Sequence, residues 1–237
     1  VRYLYIFPHP DDESFGPVAA MSMQLRQGHE VHLLTLTKGE ATRQREKLGL
    51  TKTQMAEVRH NEMLAVEKAV GLTSMTVLDL PDGELAELDP RKLEAVVRDH
   101  IKRVEPDVVV SYPVHGISGF HDHLVTHAVV KRVYLDLRDS GGPCPRRLAM
   151  YTIPDRDGPV FIPQGIRIRH SAPERIDCLI EVTDADVAKM KEALACYVSY
   201  QDTIAQSGVA EKVGRTLCFE LYGEEHRPAL ADLAHGL

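Results

Sequence analysis

Residues 8–16 read PHPDDESFG, which sets His9, Asp11, Asp12 and Glu13 within five positions. Four ionisable side chains this close, three of them acids, repel one another and resist burial unless a positive centre sits among them. A metal ion or a helix N-terminus can supply that centre. Imidazole and carboxylate are both zinc ligands. A His at a strand end can face one point with a carboxylate three residues on, across a turn stiffened by Pro8 and Pro10. Capping accounts for one or two of the acids, with Asp11 or Asp12 at the start of a helix near Ser14 and Glu13 in its first turn. It gives His9 and the prolines no role. Taken alone, the loop fits either reading.

A second constellation, HGISGFHDHLVTH, covers residues 115–127 and holds four His and one Asp. One His from it would complete a three-ligand set and leave the open position that catalytic zinc needs for water. His123 and His127, four residues apart, would share a helix face and could pair on a metal by themselves. Both constellations therefore point to a metal site with a position open for water, provided that the fold brings them together.

The elements between them predict that it does. Residues 3–7 form an apolar run, 15–27 a helix closed by Gly28, and 31–36 a second apolar run, which is a βαβ unit. Residues 38–53 are charged and aperiodic and are expected to be a long loop. A helix over 54–70 would turn Met55, Val58, Met63, Ala65 and Val66 inward. A strand at 75–80, a helix at 90–104 and the buried strand 107–111 follow, then a helix near 121–137. This alternation predicts an α/β fold, Rossmann-like and doubly wound, with a mostly parallel sheet and a ligand site at the C-terminal strand ends where the first and fourth strands diverge. Both constellations sit there. Residues 141–145 and 150–173 are expected to be irregular with short antiparallel strands. Residues 175–182 and 215–222 read as strands and 185–200 as a helix. The chain reads as a single domain over 1–237, with a core over 1–140 and an extension over 141–237 that completes it.

At 237 residues and 43% hydrophobic, the chain can bury a sizeable core. A net charge of −7, with basic residues dispersed, argues against nucleic acid as a partner. The first strand-to-helix turn carries acids where nucleotide-binding folds carry glycines, so a bound phosphate would be repelled. No apolar stretch reaches the roughly 18 residues that a membrane span needs. No secretory signal precedes the first strand, so a cytoplasmic location is expected. Cys144, Cys178, Cys196 and Cys218 lack CxxC spacing and read as small buried hydrophobes.

On His9-Pro10-Asp11-Asp12-Glu13 and Phe120-His121-Asp122-His123, the sequence resembles the zinc-dependent N-acetylglucosaminyl deacetylases of the PIG-L/LmbE type. These include the deacetylases of mycothiol and bacillithiol synthesis. The resemblance covers roughly the first 140 residues. It implies that His9, Asp12 and His123 bind zinc, or iron(II), which uses the same ligand types. It implies that Asp11 is the general base towards the attacking water, and that Asp122 hydrogen-bonds and orients an active-site side chain. Many such proteins have His at the position of Phe120, a donor to the oxyanion. Phe cannot donate, which leaves His121, His115 or the ion alone for that role. Arg59 and Glu62 match an Arg-x-x-Glu pattern in which the Arg contacts substrate, although by spacing they could equally be a surface i,i+3 ion pair. Asp82 falls where an acid would bind sugar hydroxyls, although Pro-Asp-Gly is also an ordinary turn.

The expected activity is removal of acetate from a small-molecule amino-sugar substrate, an N-acetylglucosamine conjugate. The wording of the two motifs is nearest to the bacillithiol type, hence N-acetylglucosaminyl-malate. Chitin oligomers or a thiol conjugate would use the same catalytic parts, and a non-catalytic metal- or sugar-binding relative is the rival from another class. The resemblance also implies a homo-oligomer, trimer or hexamer.

Overall fold

A computed structural model describes residues 1–141, 145–155, 160–161 and 165–237. In chain order the elements are β1 (Arg2–Phe7), α1 (Val18–Arg26), β2 (Glu30–Thr37), the short α2 (Gln44–Lys47), α3 (Lys52–Val70), β3 (Ser74–Leu80), α4 (Pro90–Val104), β4 (Val108–Ser111) and α5 (His121–Asp139). The extension adds β5 (Arg147–Thr152), β6 (Val160–Phe161), β7 (Arg167–Ile168), β8 (Cys178–Glu181), α6 (Asp184–Cys196), α7 (Gln201–Ser207), α8 (Val209–Lys212) and β9 (Thr216–Leu221).

Seven strands form one sheet in the order β3-β2-β1-β4-β5-β9-β8. Pairings among β1 to β5 are parallel, while β9 runs antiparallel to both β5 and β8. The fold is thus the expected doubly wound α/β sheet. Its order reverses between β1 and β4, which opens the crevice at their C-terminal ends. Strand periodicity divides the core in two. Tyr3, Tyr5 and Phe7 point to the face covered by α1, α3 and α6, where Ala19, Met63, Val66, Met190 and Leu194 are buried. Leu4 and Ile6 point to the other, against Leu93 and Val97 of α4 and Val130 and Val133 of α5. Each large apolar side chain so buried contributes about 1.5–3 kcal/mol.

Several expectations are corrected. The helix after β1 begins at Val18, three residues later than expected, behind Pro17 and without a side-chain cap. Asp11 and Asp12 therefore do not cap it, and both are left to the site. The 38–53 loop contains α2, and α3 starts earlier than expected because Thr51 and Gln54 form a capping box. In α3 Ala65 is exposed, whereas Arg59 and Glu62 are buried. The helix over 185–200 ends at Cys196 and passes into one 3₁₀ turn, Val198–Tyr200. Cys178 and Cys218 are buried and Cys196 is half-buried; Cys144 lies outside the described residues, as does part of the 150–173 segment. Among the described residues, no helix is long and apolar enough to cross a membrane.

Helix α6 holds the extension to the core, and Asp186 ties it there. Its carboxylate accepts from the Thr183 amide and hydroxyl (2.9 and 2.7 Å), from the Ser22 hydroxyl (2.9 Å) and from Arg26 Nη2 (2.8 Å). Burial opposes its ionisation, but the bonds from Arg26 and Thr183 outweigh burial and hold the carboxyl down to about 2. A depressed carboxyl stabilises the fold above its unfolded pKa near 4, and that contribution disappears as pH falls towards 2. Asp186→Ala is expected to cost about 1–2 kcal/mol at pH 7. In urea unfolding the gap from the parent should shrink between pH 4 and pH 2. A gap constant over that range would contradict the assignment.

Candidate active site

Every residue singled out after β1, β3 and β4 lies at the C-terminal edge of the sheet. Leaving β1, the chain runs through Pro8 and Pro10 into Asp11, whose φ of +86° is the left-handed region that non-glycine residues rarely adopt. The Asp11 carbonyl accepts from the amides of Ser14 and Phe15, both at 2.8 Å, which closes the turn. The Asp12 carboxylate turns back to accept the His9 amide at 2.9 Å.

His123 enters from the first turn of α5. Its ring stacks on Tyr112, with centroids 4.3 Å apart at 9°, and its Nδ1 lies 2.9 Å from the Gly116 carbonyl. Gly116 has a φ of +62°, and a Cβ there would lie 2.9 Å from the His123 Cβ, so only glycine permits this approach. Tyr112 also donates to Asp12 Oδ1 at 2.7 Å.

These partners assign the tautomers. A carbonyl can only accept, so His123 Nδ1 carries the proton and Nε2 offers a lone pair. On His9, Nε2 faces two carboxylates, Asp122 Oδ2 at 3.1 Å and Asp82 Oδ1 at 3.2 Å, so this nitrogen carries the proton and Nδ1 offers the lone pair. The two lone-pair nitrogens then face each other at 3.3 Å, with Asp12 at 3.3 Å from His123 Nε2 and 3.5 Å from His9 Nδ1. Three acceptors converging on one point call for a cation. Zinc bonds of about 2.0–2.1 Å in tetrahedral array set ligand atoms roughly 3.3 Å apart, so the residues fit a divalent ion. The carboxylates around this point favour positive charge there, whether a proton on His9 or an ion. Burial disfavours charge on His9, but Asp12, Asp122 and Asp82 raise its pKa well above the ordinary value. Burial likewise opposes ionisation of Asp12, yet His123 and His9 hold its carboxyl below the usual range.

The donors behind His9 are themselves fixed. Asp122 accepts from the amides of Gly83 (2.8 Å) and Leu85 (3.2 Å), and Asp82 accepts from Ala41 (2.7 Å). Asp122 thus bonds His9 Nε2 as well as these two amides. Asp82 shares this contact with His9.

The family described as PIG-L: GlcNAc-PI de-N-acetylase matches residues 4–134, more than half of the chain and both loops. The chain belongs to the PIG-L family. Similarity to a 1D-myo-inositol 2-acetamido-2-deoxy-alpha-D-glucopyranoside deacetylase of Kineococcus radiotolerans is 31% identity over 192 residues, 67% of this chain and 53% of that protein. A probable N-acetyl-alpha-D-glucosaminyl L-malate deacetylase 2 of Bacillus subtilis is 26% identical over 65% of this chain and 69% of its own length. The chain therefore spans about half the length of the first of these curated relatives and about two thirds of the second. Among solved structures, GalB, the 4-carboxy-2-hydroxymuconate hydratase of Pseudomonas putida, superposes with a TM-score of 0.69 at 17% identity, covering 94% of this chain and 97% of that one. That likeness is one of fold.

Within this PIG-L chain, Arg59 is buried rather than paired on the surface. Its Nη2 donates to Asp11 Oδ2 at 2.8 Å and to the Pro10 carbonyl at 2.5 Å, and its guanidinium lies 4.0 Å over the Tyr200 ring. Gly39 makes room for it, since a Cβ there would fall 2.7 Å from Arg59 Nε. Glu62 instead accepts from the amide and hydroxyl of Ser199 at 2.6 and 2.8 Å, so the i,i+3 ion pair does not form. Burial raises the Asp11 carboxyl and the Arg59 charge opposes the rise.

Two other histidines of α5 and its loop, His127 and His115, are engaged elsewhere. His127 Nδ1 lies 2.9 Å from the Tyr112 carbonyl, and among the described residues His123 groups with His9 and Asp12. His115 Nδ1 accepts the Ile117 amide and its Nε2 lies 3.1 Å from the Ser171 hydroxyl, while burial, with Arg169 nearby, pushes it down to about 4 and keeps it neutral. His121 is exposed at the start of the helix. Phe120, 44% exposed, packs its edge on His123. Tyr112, Tyr197, Ser199 and Tyr200 carry contacts that sequence reasoning did not assign. Only Tyr112, at the end of β4, had a signal in its position.

Proposed function

We propose that this chain is a metal-dependent N-deacetylase acting on an N-acetylglucosamine conjugate, with N-acetylglucosaminyl-malate the first choice. The observation that carries the reading is the pair of facing lone-pair nitrogens of His9 and His123 beside Asp12, with the Asp11 carboxylate one residue away. His9, Asp12 and His123 would hold zinc or iron(II). When bound, such an ion would acidify a water towards a pKa of about 7 and polarise the amide carbonyl.

The chain's own groups do the rest. Asp11, fixed by Arg59, takes the proton of the attacking water as the new C–O bond forms. It returns that proton to the nitrogen as the C–N bond breaks, so acetate and a free amine leave. Asp122 and Asp82 keep the His9 proton on Nε2 and its lone pair on the inner side. With His115 engaged elsewhere and Phe120 unable to donate, the oxyanion donor is His121 or the ion.

The test is acetate release from N-acetylglucosaminyl-malate and from the glucosaminyl-inositol conjugate, with metal content measured in parallel. Zinc-loaded protein is expected to hold about one metal per chain, to lose activity to a chelator and to regain it with zinc. Metal bound without acetate from any N-acetyl sugar would overturn the substrate class. No metal bound would overturn the centre itself. Acetate is the readout of choice because this fold also carries a hydratase, which releases none.

A further inference from the structure

Asp11 is held at three points. Its carboxylate is gripped by Arg59 and its carbonyl by the turn, as above. Its amide donates to the hydroxyl of Tyr197 at 2.9 Å, a residue 186 positions away in the extension. Tyr197 is fully buried where α6 ends, and its Oη lies 2.5 Å from Glu13 Oε1. A phenol has one proton. The hydroxyl also lies 2.8 Å from Met63 Sδ, but a thioether is a weak acceptor, so that proton goes to the buried Glu13 carboxylate, which the Ser14 hydroxyl also supports at 2.7 Å. The result is a directed chain, Asp11 N–H to Tyr197 O–H to Glu13, whose bonds strengthen each other in the buried interior.

We propose that Tyr197, with Glu13 behind it, is a positioning residue for Asp11. A non-glycine residue keeps a φ of +86° only where its surroundings over-determine it. The Pro10–Asp11 peptide plane is held from its carbonyl side by Arg59 and from its amide side by the Tyr197 hydroxyl. The Tyr197 hydroxyl fixes the Asp11 amide and thereby the direction in which the carboxylate leaves the backbone. Residue 197 lies beyond the stretch matched to the family. The extension thus completes the active site rather than only closing the sheet. This inference rests on the function proposed above for Asp11.

Tyr197→Phe keeps the buried ring and removes only the hydroxyl. In the zinc-loaded enzyme kcat is expected to fall about tenfold or more, the size of effect that misplacing a catalytic group produces, with KM and metal content unchanged. In an Asp11→Asn background the same change should cost nothing further, because the group it positions is gone. A purely structural role would lower the melting temperature and leave kcat of the folded enzyme intact in both backgrounds. Equal losses in both backgrounds, a raised KM or lost metal would also overturn the proposal. Hydrogen exchange of the Asp11 amide gives a readout free of activity. It should lose protection in Tyr197→Phe, and unchanged protection rejects the anchor even if the parent deacetylates no substrate. Should Tyr197→Phe fail to fold, Glu13→Gln, which weakens the acceptor in place, must show the same split between kcat and KM.

Discussion

Asp11→Asn is expected to lower acetate release by about 10²–10⁴-fold while the protein keeps its metal and its KM. The amide preserves the shape of the side chain and an oxygen for Arg59 Nη2, so the turn and the buried guanidinium persist. What it cannot do is accept the proton of water. Asp11→Ala is harsher. It leaves the guanidinium of Arg59, 1% exposed, with the Pro10 carbonyl and the faces of two tyrosines as partners. Stripping one member from a buried ion pair costs about 3–5 kcal/mol. Comparing the two separates chemistry from folding: both should be slow, and only Asp11→Ala should melt much earlier. Asp11→Asn within tenfold of the parent rate would remove Asp11 as base, and a loss of rate together with metal would move it into the ligand set.

How far such a site can be read from sequence depends on where its parts come from. His9, Asp11 and Asp12 were legible because they follow an apolar run that can only be a buried strand. His123 and Asp122 were legible because they follow DVVVS, the next strand across the switch point; topology then brings the two loops together. The sheet order through β4 was legible for the same reason, whereas β5, a six-residue strand parallel to β4, falls where only irregular structure and short antiparallel strands were expected. The register of buried positions on α3 was not. Its apolar residues predict Ala65 inward, but the inward face is completed by Arg59 and Glu62, whose burial depends on partners 48 and 137 residues away, Asp11 and Ser199. No periodicity in α3 contains that information. Tyr197 and Tyr200 were silent for a related reason. In CYVSYQ they look like packing residues at a helix end, and their hydroxyls find Asp11, Glu13 and Thr42 only once α6 has docked on α1 and α3. The late start of α1 has a local cause that was also missed. Residues 11–17 are occupied by the turn that presents the acids, so the helix cannot begin among them.

The arrangement around His9 makes His123→Ala the most decisive substitution, because His9 stands between two acidic groups. On its Nδ1 side are Asp12 and His123; on its Nε2 side are Asp82 and Asp122, and either trio brings its ligand atoms within 4.8 Å. The inner trio is favoured because the outer carboxylates are already spent. Asp122 accepts two amides and Asp82 one, and both also take the His9 proton. On the inner side only the proton that the surrounding acids favour on His9 would have to give way to the ion. If the inner trio binds the ion, His123→Ala should weaken metal binding by at least about 100-fold, beyond the 10–100-fold typical of residues one step removed from the ligands. Acetate release should vanish with it. Asp82→Asn should weaken binding only within that lesser range. If the outer trio were the site, the order would reverse, with Asp82→Asn costing the metal and His123→Ala sparing it. Metal titration of the two variants, each checked for an intact melting transition, decides between them. The stacking of His123 on Tyr112 and its bond to Gly116 give the same variant a folding cost, so the affinity must be measured on folded protein at a temperature well below its transition.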